Sequence, residues 1–126
     1  MTTATKALLA YHNDPAIKKK YLARVRAHRK ADELVAGTGW SGEVGCAVGC
    51  TFEKYDHSLG PIEIGVPVQL MRLEDAIFEG LARTKGPHLA FPEAFLSAIK
   101  PGADLSMVWP RWAAWMQGSG CCFLSL

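Results

Sequence analysis

The chain has no apolar run approaching the length of a membrane span, no internal repeat and no low-complexity segment. A membrane-spanning helix and a repeat array are therefore excluded as readings of the sequence. Charge of one sign is also lacking. Fourteen Lys and Arg against twelve Asp and Glu leave +2, too little to point to nucleic acid by itself. The opening "MTTATKALLAYHND" has neither the charged start nor the long apolar stretch of a signal peptide. The ending "CCFLSL" has Phe123 where a prenylation box needs cysteine. The expected location is the cytoplasm, with no membrane partner. The four cysteines, at 46, 50, 121 and 122, are then expected as thiols in a reducing compartment rather than as disulfides.

What is present suits one domain. The 126 residues are 49% hydrophobic and 21% charged, ordinary values for a globular chain with a single core. "TATKALLAYH" can form a short first helix, which "NDP" stops. Asp14 is a fitting N-cap, and Pro15 suits the first helical position, where its missing N–H is not needed. From Pro15 to about Ala36 there is neither glycine nor further proline, which predicts a helix ended by Gly37 and Gly39. Residues 37–65 are glycine-rich and read as irregular. Within them "CAVGCTFEKY" is a helical turn or a short strand, and "PIEIGV" alternates weakly enough to allow a small strand.

Pro67 opens a second clear helix. There Val66, Leu70, Leu73, Ile77 and Leu81 recur at helical spacing toward the core, and Arg72, Asp75 and Glu79 are placed toward water. "RTKGPH" reads as a loop. "FPEAFLSAI" is a third helix, started by Pro92. Asp104 can cap a last one, "LSMVWPRWAAWMQ", which Pro110 kinks or restarts. An apolar tail covers 118–126. The expected fold is a mostly-α, compact bundle of four or five helices in one domain spanning 1–126, with little or no sheet.

Three groups of residues invite a functional reading. The first is the basic helix. "KKKYLARVRAHRK" holds seven of the fourteen Lys and Arg, and Lys18, Lys19, Arg26, Arg29 and Lys30 fall on one side. Such a face is either solvated or meets phosphates or an acidic protein. No helix-turn-helix spacing, zinc finger or aromatic RNA-binding motif accompanies it.

The second is the stretch from His28 to His57. His28 and Asp32 stand at i and i+4 on the packing stripe, so they form either a satisfied core pair or an acid–base pair with Asp32 orienting the imidazole. Cys46 and Cys50 are packing residues, or Cys46 is a nucleophile. In the second case a helix N-terminus lowers its pKa, His57 or His28 is its base, and Asp32 or Asp56 orients the imidazole. Structural zinc sites use four ligands and often a tighter cysteine pair, so no metal and no cofactor is assigned.

The third is Trp109, Trp112 and Trp115. They read mainly as core, with one left at the surface to anchor a protein partner or a second copy.

The runs "YHNDPAIKKKYLARVRAHRKADEL", "GCAVGCT", "RLEDAIFEGL" and "GADLSMVWPRW" together resemble an uncharacterised family of small bacterial and phage-encoded proteins, over roughly residues 10–116. The resemblance implies a bacterial or phage cytosolic origin and carries no catalytic residue. The ending "GSGCCFLSL" departs from it. Two functions follow as expectations. One is a non-catalytic helical interaction or modulator protein, phage or mobile-element encoded, binding protein or nucleic acid through the basic face. The other is a small hydrolase-like enzyme using a Cys/His or His/Asp pair within residues 28–57.

Overall fold

The computed structural model describes residues 8–84 and 88–118. The start of "TATKALLAYH", the middle of "RTKGPH" and the tail beyond Gly118 lie outside the described residues. Five α-helices form the frame: α1 (Pro15–Lys30), α2 (Ala47–Phe52), α3 (Val68–Arg83), α4 (Phe91–Ala98) and α5 (Val108–Gly118). Among the described residues there is no strand, only isolated bridges such as Leu34 with Gly45. The expected mostly helical bundle is what forms.

Each frame helix follows from local chemistry. Asp14 caps α1 by accepting the Ala16 N–H at 2.9 Å, ahead of Pro15. At the other end α1 stops at Lys30, earlier than its composition predicts. Asp32 takes the left-handed conformation at φ 60°, the Glu33 N–H reaches the His28 carbonyl and the Asp32 N–H reaches that of Arg29. This is a Schellman ending, with an aspartate where glycine is commoner. Pro110 lies within the first turn of α5 and so does not kink it.

The irregular segments differ from expectation. Residues 10–13 do not continue a right-handed helix, because Tyr11, His12 and Asn13 all have positive φ. The turn is held by its surroundings. Tyr11 is fully buried and its hydroxyl donates to the Leu96 carbonyl, while the Ala10 N–H reaches Ala103 O. "PIEIGV" forms a π-helical turn over Gly60–Ile64 instead of a strand. "CAVGCTFEKY" resolves into α2, every residue of which is buried.

Helix α1 packs on α2 and α4, and α2 packs on α3. The buried residues form one hydrophobic cluster, with Tyr21, Val25, Val48, Ile64, Met71, Phe78 and Leu96 at its centre. Helix α2 sits close to the backbone at Gly39. A Cβ on Gly49 would lie 1.9 Å from the Gly39 carbonyl oxygen, whereas one on Gly80 in α3 would meet nothing within 4 Å. The same substitution should therefore act with opposite sign at the two sites. Gly49→Ala is expected to destabilise by about 2 kcal/mol through the forced backbone shift. Gly80→Ala is expected to stabilise by about 0.5–1 kcal/mol through helix propensity. Urea denaturation of both variants checks this, and equal signs would contradict it.

Candidate functional site

The polar centre of the molecule lies on α3. Asp75, placed toward water by the helical pattern, is instead only 9% exposed, and its neighbour Glu74 is fully buried. The register of α3 explains the correction: the buried side is Leu70, Met71, Glu74, Asp75 and Phe78, while Leu73, Ile77 and Leu81 are half-buried.

Asp75 is the meeting point of three segments. Tyr55 donates its hydroxyl to Asp75 Oδ2 at 2.7 Å, and His57 Nε2 lies 3.0 Å from the same oxygen. The Tyr55 and His57 rings meet edge to face, with centroids 5.0 Å apart. The Tyr55 hydroxyl is pushed up to about 12, first by its bond to Asp75 and then by burial. From α2 comes the thiol of Cys46, and one turn along α3 comes Glu79. A donor atom from each of Cys46, Asp75 and Glu79 lies within 4.8 Å of the others. Glu79 Oε2 also accepts the Gly37 N–H at 2.9 Å. Asp75 Oδ1 and both oxygens of Glu74 are buried without a hydrogen-bond partner. Desolvation first, and the Asp75 charge second, push the Glu74 carboxyl up to about 8.

His28 belongs to a different group. Its Nδ1 lies 2.7 Å from Glu33 Oε1 and its Nε2 lies 3.0 Å from Glu53 Oε2. Asp32 is the left-handed residue of the Schellman ending and is exposed, so the expected His28–Asp32 pair does not form. Both ring nitrogens of His28 are engaged by carboxylates, and neither is available to a thiol.

Of the two cysteine readings, the burial of both side chains favours packing. Cys46 is the N-cap of α2, yet its thiol is pushed up to about 11, because burial first, and the neighbouring Asp75 carboxylate with it, outweigh the backbone N–H groups around it. Cys50, whose sulfur contacts the Glu33 and Gly45 carbonyls, is pushed up to about 12 by burial. No imidazole nitrogen hydrogen-bonds to either sulfur among the described residues. His57 instead meets Asp75, and Asp56 accepts from Ser58. The sequence pattern marked Cys46 and His57. It missed Asp75, Glu79 and Tyr55, although the i, i+4 spacing of Asp75 and Glu79 on one helix side was a readable signal.

The basic helix is partly spent inside the molecule. Arg26 Nε lies 2.7 Å from Glu93 Oε2 and Arg29 Nη1 lies 3.3 Å from Glu93 Oε1, tying α1 to α4. Lys18 Nζ donates to the Ser97 carbonyl at 2.8 Å. The Arg26 bond, ahead of the other contacts, holds the Glu93 carboxyl below its ordinary range. Lys19 and Lys30 are exposed.

Helix α5 is the reverse case, an apolar element facing outward. Met107 and the α5 residues Val108, Trp109, Trp112 and Trp115 are between 37 and 56% exposed. The Trp109 and Trp112 rings lie 5.4 Å apart. Beside them opens an apolar cavity of about 640 Å³, walled by α3, α4 and α5 through Leu73, Ile77, Phe91, Phe95, Val108 and Trp112. The tryptophans are therefore not core, as the pattern suggested for most of them.

No helix among the described residues is long and apolar enough to cross a membrane. Comparison with protein-family models, with curated proteins and with solved structures finds no match.

Two measurements follow. Replacing Arg26 and Arg29 with Glu brings three carboxylates together between α1 and α4, and is expected to lower Tm by about 4 °C at low salt. Lys19→Glu with Lys30→Glu should leave Tm unchanged, and differential scanning calorimetry separates the two. In a Cys121→Ser/Cys122→Ser background, Cys46 and Cys50 should resist a chromogenic disulfide reagent at neutral pH and react only on unfolding. Rapid reaction in the folded state would restore a nucleophilic Cys46.

Proposed function

We propose that the protein is a non-catalytic interaction protein whose recognition surface is α5 and the cavity beside it, rather than the basic face of α1. The observation that carries this reading is the exposure of Trp109, Trp112 and Trp115 on one helix next to an open apolar cavity. Monomeric proteins rarely leave such surface uncovered, and tryptophan is the residue most enriched where binding energy concentrates.

The occupant that fits is a second copy of the chain. Helix α5 carries a single charged residue, Arg111, so two copies laid side by side meet little like-charge repulsion. A two-fold axis beside α5 sets the tryptophan edge of each copy against the open cavity of the other, a self-complementary arrangement. The basic face supports partner binding less well, since Lys18, Arg26 and Arg29 hold α4. The enzyme alternative has less support again. The His28–Asp32 pair does not form, and Cys46 is buried without an imidazole at its sulfur.

The test is sedimentation equilibrium of the full chain. At about 100 μM, where a dimer of about micromolar affinity is formed, the protein should have the mass of two chains. Trp115→Glu should raise the dissociation constant at least about 30-fold, the loss of one strong anchor. Lys19→Glu with Lys30→Glu should leave it unchanged. A monomer at that concentration, or a dimer indifferent to Trp115, would overturn the reading.

A further inference from the structure

We propose that Cys46, Asp75 and Glu79 form a binding site for one divalent transition-metal ion of zinc-like preference, with His57 and Tyr55 as the groups that orient Asp75. The inference is independent of α5 and of what covers it.

Geometry supplies the first argument. The three donor atoms come from two helices that pack on each other and lie within 4.8 Å of one another. Asp75 and Glu79 share one side of α3 at i and i+4, and Cys46 faces them from the N-cap of α2. Their other bonds leave one oxygen on each carboxylate. Glu79 uses Oε2 for the Gly37 N–H, which leaves Oε1. Asp75 uses Oδ2 for Tyr55 and His57, which leaves Oδ1, the oxygen that is buried without a partner. A ligating carboxylate held on its far oxygen by a histidine and a tyrosine is a familiar outer-shell arrangement for a metal ligand.

Charge supplies the second argument. Asp75 and Glu79 stand one turn apart on α3, and no Lys or Arg forms an ion pair with either among the described residues, while the His57 imidazole meets Asp75 on one oxygen. Asp75 Oδ1 is buried with no hydrogen-bond partner. Burying a carboxylate oxygen without a partner is costly, and a divalent ion between Asp75 and Glu79 removes that cost at Asp75 Oδ1.

The donor set selects the ion. One sulfur with two carboxylate oxygens suits zinc or cobalt, whereas calcium and magnesium avoid sulfur. Three protein ligands leave a fourth tetrahedral position for water. Binding is an exchange: the Cys46 thiol loses its proton to solvent as the sulfur–metal bond forms, and no electron is transferred.

The test uses the full-length chain carrying Cys121→Ser and Cys122→Ser, stripped with a chelator and titrated with Co²⁺ alone. One equivalent should produce the absorption of a thiolate–cobalt bond, displaced by Zn²⁺, and Zn²⁺ should raise Tm. Cys46→Ser should abolish the band, and Cys50→Ser should keep it. Glu79→Gln, at a half-buried position, keeps the test informative if Cys46→Ser fails to fold, and should weaken binding at least tenfold. Tyr55→Phe should weaken binding about 10-fold with the band retained, as loss of an outer-shell partner does. No band, or a band that survives in Cys46→Ser or disappears in Cys50→Ser, would overturn the proposal.

Discussion

The carboxylate of Asp75 is the interaction on which the centre of this protein depends. It lies on the buried side of α3, and it reaches the part of the chain that has least regular structure of its own. Tyr55 and His57 both bond to one of its oxygens, and the N-cap of α2 brings Cys46 to the same group. Without that anchor, the segment after α2 has few ties to the helical frame. With it, the chain crosses from Glu53 to the π-helical turn at Gly60–Ile64 in a defined path. A carboxylate in such a place must be hydrogen-bonded, so the polar cluster and the packing of α2 on α3 form together.

Around that centre the frame is tied by ordinary means. The pair of arginines on α1 grips Glu93 of α4, and Arg24 turns inward to the Thr51 carbonyl at the end of α2. This is why a helix so rich in positive charge does not present a uniform basic face. The left-handed turn at Tyr11, His12 and Asn13 does similar work at the other side of the molecule. A buried Tyr11 bonded to Leu96 holds it, and the His12 ring reaches the Ile62 carbonyl. Three successive non-glycine residues in that conformation persist only because the surrounding contacts require it. Helix α5, by contrast, keeps its large apolar side chains outside, and that asymmetry separates a well-knit core from a surface suited to assembly.

Much of the fold was legible in the sequence. Apolar spacing, Asp14 with Pro15, Pro67 and Pro92 marked α1, α3 and α4, because those signals are local. What was not legible depends on contacts distant in sequence. Asp75 sits on a helix whose pattern offers a convincing apolar stripe one step round, and only the pull of Tyr55 and His57 from the middle segment shows which side is buried. His28 and Asp32 read as a pair because nothing local announces a helix ending on aspartate. Glu33 and Glu53 then take the imidazole from either side. Of the two cysteine readings, the lowered pKa fails for a related reason: a helix N-terminus is there, but the degree of burial that outweighs it is a property of the assembled core. The tryptophans were misread as core because hydrophobic composition does not show where a helix docks.

The account stands most directly on Asp75 as the anchor of the middle segment. Hydrogen–deuterium exchange of the wild type and of Asp75→Ala, compared peptide by peptide under native conditions, tests it. The account predicts that exchange accelerates in residues 46–60, while α1 and α4 keep their protection. Unchanged exchange over 46–60, or an equal loss of protection everywhere, would contradict it.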